Sequence, residues 1–316
     1  MPSESDLARL PGLLRERGMT LGTPLTILDE TTSTNDEAKV AAKGGAPHGA
    51  TWIAELQTAG RGRQGRAWVS PRGENIMLSA LVRIVCPPLR VPLMSLVAGL
   101  AARDAVARAV ADAARVRLKW PNDVLIDGRK VCGILVEAQF ASNQVESIVI
   151  GVGMNVHTRV FPEPIRDLAT SVALHAPHAG SDGPDRAVLA ADLLQALERD
   201  LPRVASHGLA PEVCGFAAAD FQPEVCGFAA ADFQPEVCGF AAADFQPLHA
   251  RLTAADALLG QRVQSDGGIS GVAEGIDLEG RLLVRRDDGA LERLVAGEVH
   301  LNGVSLPHWG RAGVGG

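Results

Sequence analysis

An apolar run, Thr51 to Leu56, leads directly into QTAGRGRQGRAW at 57–68, and a second apolar run, Ile76 to Ile84, follows a few residues later. Both runs have the length and composition of strands. A loop tied to a strand at each end has little freedom in where it can lie, so this stretch constrains the chain more than any other. Gly60, Gly62 and Gly65 let the backbone turn and come close to a ligand, while Arg61, Arg63 and Arg66 supply guanidinium forks that match carboxylate and phosphate geometry. An exposed Arg-Gly segment of the RNA-binding kind would sit in a polar low-complexity tail. Flanked by buried-looking strands, this one reads as an anion-binding site.

The 316 residues are 47% hydrophobic and 21% charged, enough for one large domain and a small companion. A net charge of -7 argues against general nucleic-acid binding, which calls for a basic face. There is no run of about 18 apolar residues, and the opening MPSESDLARLPGLL is polar where a signal peptide would be basic and then apolar. The expectation is a cytoplasmic protein with no membrane segment. Three of the five cysteines arise from a repeat and none has metal-type spacing, which suggests reduced thiols and neither a zinc site nor a disulfide framework.

Residues 4–17 suit one short helix ending near Gly18, and Leu25 to Leu28 reads as a strand. That leaves no room for a helix-turn-helix DNA-binding unit ahead of the strand. Thr34 and Glu37 have capping-box spacing, and Gly44 and Gly45 supply a stop, predicting a helix over 34–43. Ser33, Thr34 and Asn35 therefore fall at a helix N-terminus. Capping alone would account for them, and a polar ligand group could be received there equally well.

Pro92 to Val116 is alanine-rich with leucine and valine at helical spacing, predicting a core helix. VRLKWPNDVLIDGRKVCGILVEAQF reads as strand, turn, strand, hairpin, strand, with the hairpin at Asp127-Gly128. Val145 to Val156 is a buried strand carrying two glycines, the mark of a bulge or a close approach. Asp185 to Ser206 is an amphipathic helix that Pro202 should kink or end. PEVCGFAAADFQ then occurs three times at 211–246, an undrifted duplication that reads as an expanded loop rather than a solenoid. Leu258 to Leu301 alternates short apolar stretches with glycine turns, predicting about five strands of a small β-domain, and a patternless tail follows Val304.

Four stretches together resemble the biotin protein ligases: TTSTN at 31–35, QTAGRGRQGRAW at 57–68, KWPNDVLIDGRKVCGILVE at 119–137 and GVGMNV at 151–156. Their order, their spacing and the following β-domain match over residues 25–301. The resemblance implies an α+β fold, a mixed central β-sheet flanked by helices of the class II aminoacyl-tRNA synthetase and biotin ligase type, followed by a small SH3-like β-barrel. The implied domains are a short segment 1–24, a catalytic domain 25–210, the repeat 211–246, the barrel 247–303 and the tail.

By the same resemblance the chain activates biotin with ATP and Mg2+ as biotinyl-5′-AMP and transfers it to a lysine of a biotin carboxyl carrier protein. Ser33, Thr34, Asn35 and Gln57 would hold the biotin head group, with Gly133 and Leu135 beneath it and Trp52 walling its apolar part. Gly60, Arg61 and Arg63 would form the loop over its carboxylate and the phosphate, and Lys130 would bridge carboxylate and α-phosphate oxygens. Arg66, Trp68, Asn75, Lys119 and Asn155 would approach the nucleotide together with Arg63 and Lys130. Asp123 has two readings: a turn carboxylate capping Asn122 or pairing Lys119, or a group that positions Lys130 or the acceptor amine.

The chain departs from the family in Gln64, where some members carry arginine, and in the triple repeat. The absence of a DNA-binding domain leads to the expectation of a ligase and not a repressor, and the resemblance allows a homodimer paired through a sheet edge. Two rival readings are a lipoate-type ligase, which the polar Ser33-Thr34-Asn35 cluster suits less well than a ureido ring, and a non-catalytic biotin-sensing binding protein.

Overall fold

The computed structural model describes residues 5–84, 86–141, 144–177, 183–209 and 248–301. The triple repeat and the tail lie outside the described residues. After a 3-10 turn at Asp6–Arg9 come α1 (Leu10–Glu16), β1 (Leu25–Leu28), α2 (Thr34–Lys43), β2 (Thr51–Ala54) and β3 (Ile76–Val82). Next come α3 (Val91–Ala109), β4 (Val116–Lys119), β5 (Asp123–Ile126), β6 (Arg129–Ala141), β7 (Gln144–Met154), α4 (Arg186–His207) and α5 (Leu248–Ala255). The last strands are β8 (Arg262–Ser265), β9 (Ser270–Ile276), β10 (Leu282–Arg285), β11 (Leu291–Leu294) and β12 (Val299–Leu301).

The first seven strands form one mixed sheet in the order β1-β2-β3-β7-β6-β5-β4. Only β1 and β2 run parallel; the other pairs are antiparallel. β3, buried along its whole length, and β7 sit at the centre, which is why both read as continuous apolar runs. The expected hairpin is present: Asp127 and Gly128 both have positive φ, 50° and 76°, the geometry of a type I′ turn.

α3 and α4 pack on each other and on the sheet, and α2 packs against β2, β3 and β7. Trp52 faces the small cluster of Ala38, Ala42, Leu81 and Val149 formed with α2, so it walls that cluster and not the ligand cavity. α3 ends at Ala109, short of the expected Val116. Val110 turns extended, Asp112 caps a single 3-10 turn over Ala113–Arg115, and Val116 already belongs to β4. α4 in contrast runs through Pro202. Leu201, Val204 and Ala205 around the proline are buried and the Asp200 carboxylate accepts two bonds from Arg251 Nη1 at 3.0 and 2.9 Å, so tertiary anchoring outweighs the lost helix bond.

The last five strands make a separate antiparallel sheet in the order β11-β10-β9-β8-β12. It docks through Trp120, which is fully buried and whose Nε1 donates to Gly280 O at 3.0 Å. Burying a side chain of that size contributes roughly 3 kcal/mol. The docking brings the Glu298–Leu301 end of the second sheet to the edge of the glycine-arginine loop.

Candidate active site

A cavity of about 900 Å³ opens between the centre of the first sheet, the glycine-arginine loop, the segment 160–169 and the end of the second sheet. Every candidate residue named from the sequence lines it except Gly60 and Trp52. Gly60 lies just behind the wall, where a Cβ would come within 2.6 Å of Trp68 O and 2.9 Å of Gln57 Nε2, so only glycine fits.

The floor is polar and closely packed. Ser33 is the N-cap of α2 but makes no side-chain capping bond, and the expected Thr34–Glu37 capping box is not formed. Instead Gln57 Oε1 accepts from both Thr34 N at 2.7 Å and Thr34 Oγ1 at 2.9 Å, and Glu37 accepts from Thr31 Oγ1. The side chains at this helix start are turned toward the cavity because Gln57 takes over the capping. Asn35 donates to Glu137 Oε2 at 2.7 Å, and the Ser79 hydroxyl donates to Asn35 Oδ1 at 2.6 Å while lying 2.7 Å from Thr34 Oγ1. Ser79 and Glu137 were not singled out from the sequence. The signal for Ser79 was present: it is the one polar residue in the buried strand IMLSALV.

The strand glycines mark close approaches, as their position in a strand suggested. A Cβ at Gly151 would sit 2.1 Å from Asn35 Oδ1, and one at Gly153 would sit 2.5 Å from Trp68 Cε2. Their missing side chains let the Asn35 amide and the Trp68 ring lie flat on β7.

Cations gather at the other end. Lys130 Nζ lies 2.7 Å from Asp123 Oδ1 and 5.6 Å from the centre of the Trp68 ring, a cation-π distance. Of the two readings of Asp123, the geometry favours the pairing with Lys130. The β4–β5 turn and the β5–β6 hairpin place them together, since Asp123 is paired with Gly133 across the sheet. Arg63 Nη1 donates to Asn122 Oδ1 at 3.1 Å, Arg66 Nη1 lies 2.8 Å from Glu298 Oε2, and Arg61 grips Asp36 with both terminal nitrogens at 2.6 and 2.5 Å. Lys119 is half-buried, and burial pushes its ammonium below its ordinary value of 10.5 against the opposing pull of Asp123 and Glu298. Gln64 holds a left-handed backbone, φ 56°, and its Oε1 accepts from Arg66 Nη2 at 3.2 Å.

Asn75 and Asn155 line the cavity with their amides already engaged. Asn75 Nδ2 donates to Ser70 and Thr158, its Oδ1 accepts from Val156 N, and Asn155 Nδ2 donates to Thr170 O. They brace the wall. The arrangement as a whole, with neutral donors and acceptors at one end and Lys119, Lys130, Arg63 and Arg66 at the other, suits a molecule with a polar uncharged head and an anionic tail beside further anions.

Comparison with known proteins agrees with this. The biotin/lipoate A/B protein ligase family matches residues 27–155, and the biotin protein ligase C-terminal domain matches residues 259–301. The biotin–[acetyl-CoA-carboxylase] ligase of Mycobacterium tuberculosis is 42% identical over 177 residues, 55% of this chain and 62% of that protein. The bifunctional ligase/repressor BirA of Bacillus subtilis is 33% identical over 216 residues, 65% of this chain. The chain spans 64% of the length of that relative, under two thirds. The biotin protein ligase of Aquifex aeolicus, solved with biotin and ATP, has a TM-score of 0.62 at 25% identity, covering 88% of this chain and 97% of that one. Among the described residues no helix is long and apolar enough to cross a membrane.

Proposed function

The chain belongs to the biotin protein ligase family, and from that premise we propose that it is an ATP-dependent enzyme that converts biotin to biotinyl-5′-AMP and transfers the biotinyl group to a lysine of a biotin carboxyl carrier protein. The observation that carries this reading is the single cavity in which the Ser33-Thr34-Asn35-Gln57 floor and the Lys130, Arg63 and Lys119 cations face one space. A ureido ring takes the floor, and the carboxylate reaches toward the cations.

In the first step a biotin carboxylate oxygen attacks the α-phosphorus of ATP and pyrophosphate leaves. Two anions at about 4 Å repel by roughly 4 kcal/mol at an effective dielectric near 20. Preorganised cations aimed at that charge are ordinarily the largest catalytic contribution. Lys130 supplies a compact ammonium between carboxylate and α-phosphate, Arg61 and Arg63 the guanidinium forks of the loop, and Arg66, Lys119 and Trp68 the surroundings of the nucleotide, with Asn75 and Asn155 holding the wall. Gly133 and Leu135 underlie the biotin, and Gly60 keeps Gln57 in place.

In the second step the acceptor amine attacks the acyl carbon, AMP leaves with the bonding electrons, and the amine gives up a proton. Asp123, 2.7 Å from Lys130, holds the ammonium until the phosphate competes for it. Mg2+ would be carried by the triphosphate of ATP, and would neutralise part of the phosphate charge beside Lys130 and Arg63. Among the described residues no three His, Cys, Asp or Glu side chains gather to hold a metal. The reading includes a cytoplasmic location, a catalytic unit over 25–210 with the small β-domain following the repeat, pairing of two copies through a sheet edge, and no operator binding.

Biotin-dependent exchange of labelled pyrophosphate into ATP tests the first step directly. Exchange that needs biotin and is not supported by lipoate upholds the proposal; biotin bound with no exchange would make the chain a binding protein instead.

A further inference from the structure

Two cavity-lining residues, Arg61 on the loop and Asn35 on the floor, are joined by a chain of contacts that runs behind the cavity wall. Arg61 grips Asp36 at 2.6 and 2.5 Å; Asp36 Oδ1 lies 2.9 Å from Lys39 Nζ; Lys39 Nζ lies 2.8 Å from Glu137 Oε1; and Glu137 Oε2 accepts from Asn35 Nδ2 at 2.7 Å. Asp36, Lys39 and Glu137 do not line the cavity. We propose that these three are positioning residues that couple the glycine-arginine loop to the pocket floor, so that a head group seated on Asn35 and a loop closed over the ligand's anionic end favour each other.

The chain fixes the floor as well as transmitting to it. Glu137 accepts, so the Asn35 amide must turn Nδ2 toward it and Oδ1 toward Ser79, which donates. The flipped amide would set Oδ1 against a carboxylate. Asn35 and Ser79 are buried, at 5% and 0% exposure, and the bare backbone of Gly151 leaves no slack around the amide. At the loop end the Arg61 guanidinium holds the Asp36 carboxyl well below the usual carboxylate range, so the grip is charged throughout the neutral range. Each half-exposed ion pair contributes little by itself. The effect lies in sharing: Asp36 and Lys39 each serve two neighbours, and Glu137 divides its two oxygens between Lys39 and Asn35.

The inference rests on the reading of the cavity as a biotin site, and the test separates the two. Biotin affinity is measured by calorimetry, and loop closure by trypsin cleavage after Arg61 and Arg63 with and without biotin plus ATP, on the full chain and on Asp36→Asn, Glu137→Gln and the double variant. Absence of biotin binding by the wild-type chain would remove both the function and the coupling. Given wild-type binding and loop protection, each single variant should weaken biotin about five- to tenfold and reduce protection, although neither residue lines the cavity. The double variant should be no worse than the weaker single one, because both break one path. Lys39→Met should behave the same and Lys39→Arg should restore binding, which keeps the test open if a carboxylate variant fails to fold. Wild-type affinity and protection in the single variants, or strictly additive losses, would overturn the coupling.

Discussion

Arg66 of the glycine-arginine loop and Glu298 at the end of the second sheet lie 2.8 Å apart, and Glu298 is almost wholly buried. This contact ties the two sheets together at the cavity edge. The loop is thus supported from the C-terminal side as well as by its own strands.

Glu298→Gln removes the charge and keeps the shape. A charge-assisted bond contributes about 1.5–3 kcal/mol, and with Arg66 one third exposed the lower end applies, so a loss of about 1–1.5 kcal/mol is expected in urea unfolding. The KM for ATP should rise several-fold while biotin affinity stays near wild type. An unchanged midpoint and an unchanged KM would mean that the contact supports nothing.

Gly151→Ala places a methyl group 2.1 Å from Asn35 Oδ1, inside any permissible contact. The strand backbone accepts alanine, so the expected damage is local: Asn35 is pushed from Ser79 and Glu137 at a cost of about 1–3 kcal/mol, and biotin binding falls at least tenfold. Calorimetry together with circular dichroism checks both parts. Tight biotin binding by a folded Gly151→Ala chain would argue against an Asn35 floor.

Lys119 gives a prediction in pH. Its folded pKa is depressed by burial relative to the unfolded value near 10.5, so the folded protein is penalised wherever the unfolded lysine is charged. The penalty is complete below the folded pKa and disappears as pH rises to and beyond 10.5. Lys119→Met should therefore unfold at higher urea than wild type at pH 7, with the gap closing toward alkaline pH, while its KM for ATP increases. A variant less stable than wild type at pH 7 would show that the ammonium is well paired in the folded protein.

Much of this was legible in the chain because it is written locally. The Asp127-Gly128 turn, the two strand glycines and the loop pinned between β2 and β3 each carry their geometry within a few residues. What the sequence hid depends on distant partners. Thr34 and Glu37 have capping-box spacing, yet Gln57, 23 positions away from Thr34, takes the helix-end donors. The pairing of Arg66 with Glu298 spans 232 positions, and no pattern within either neighbourhood announces it. Pro202 should break a helix by local rules, and the buried anchor at Asp200 overrides them.

The central claim is that Lys130 and Arg63 form the anion clamp of a biotin ligase, and transfer of labelled biotin from biotin plus MgATP onto a biotin carboxyl carrier domain tests it most directly. The wild-type chain should transfer label, and Lys130→Ala and Arg63→Ala should each lose about 10²–10³-fold in rate, the usual effect of removing one preorganised charge from such a site. A wild-type chain that transfers no label, or variants that transfer as fast as wild type, would contradict it.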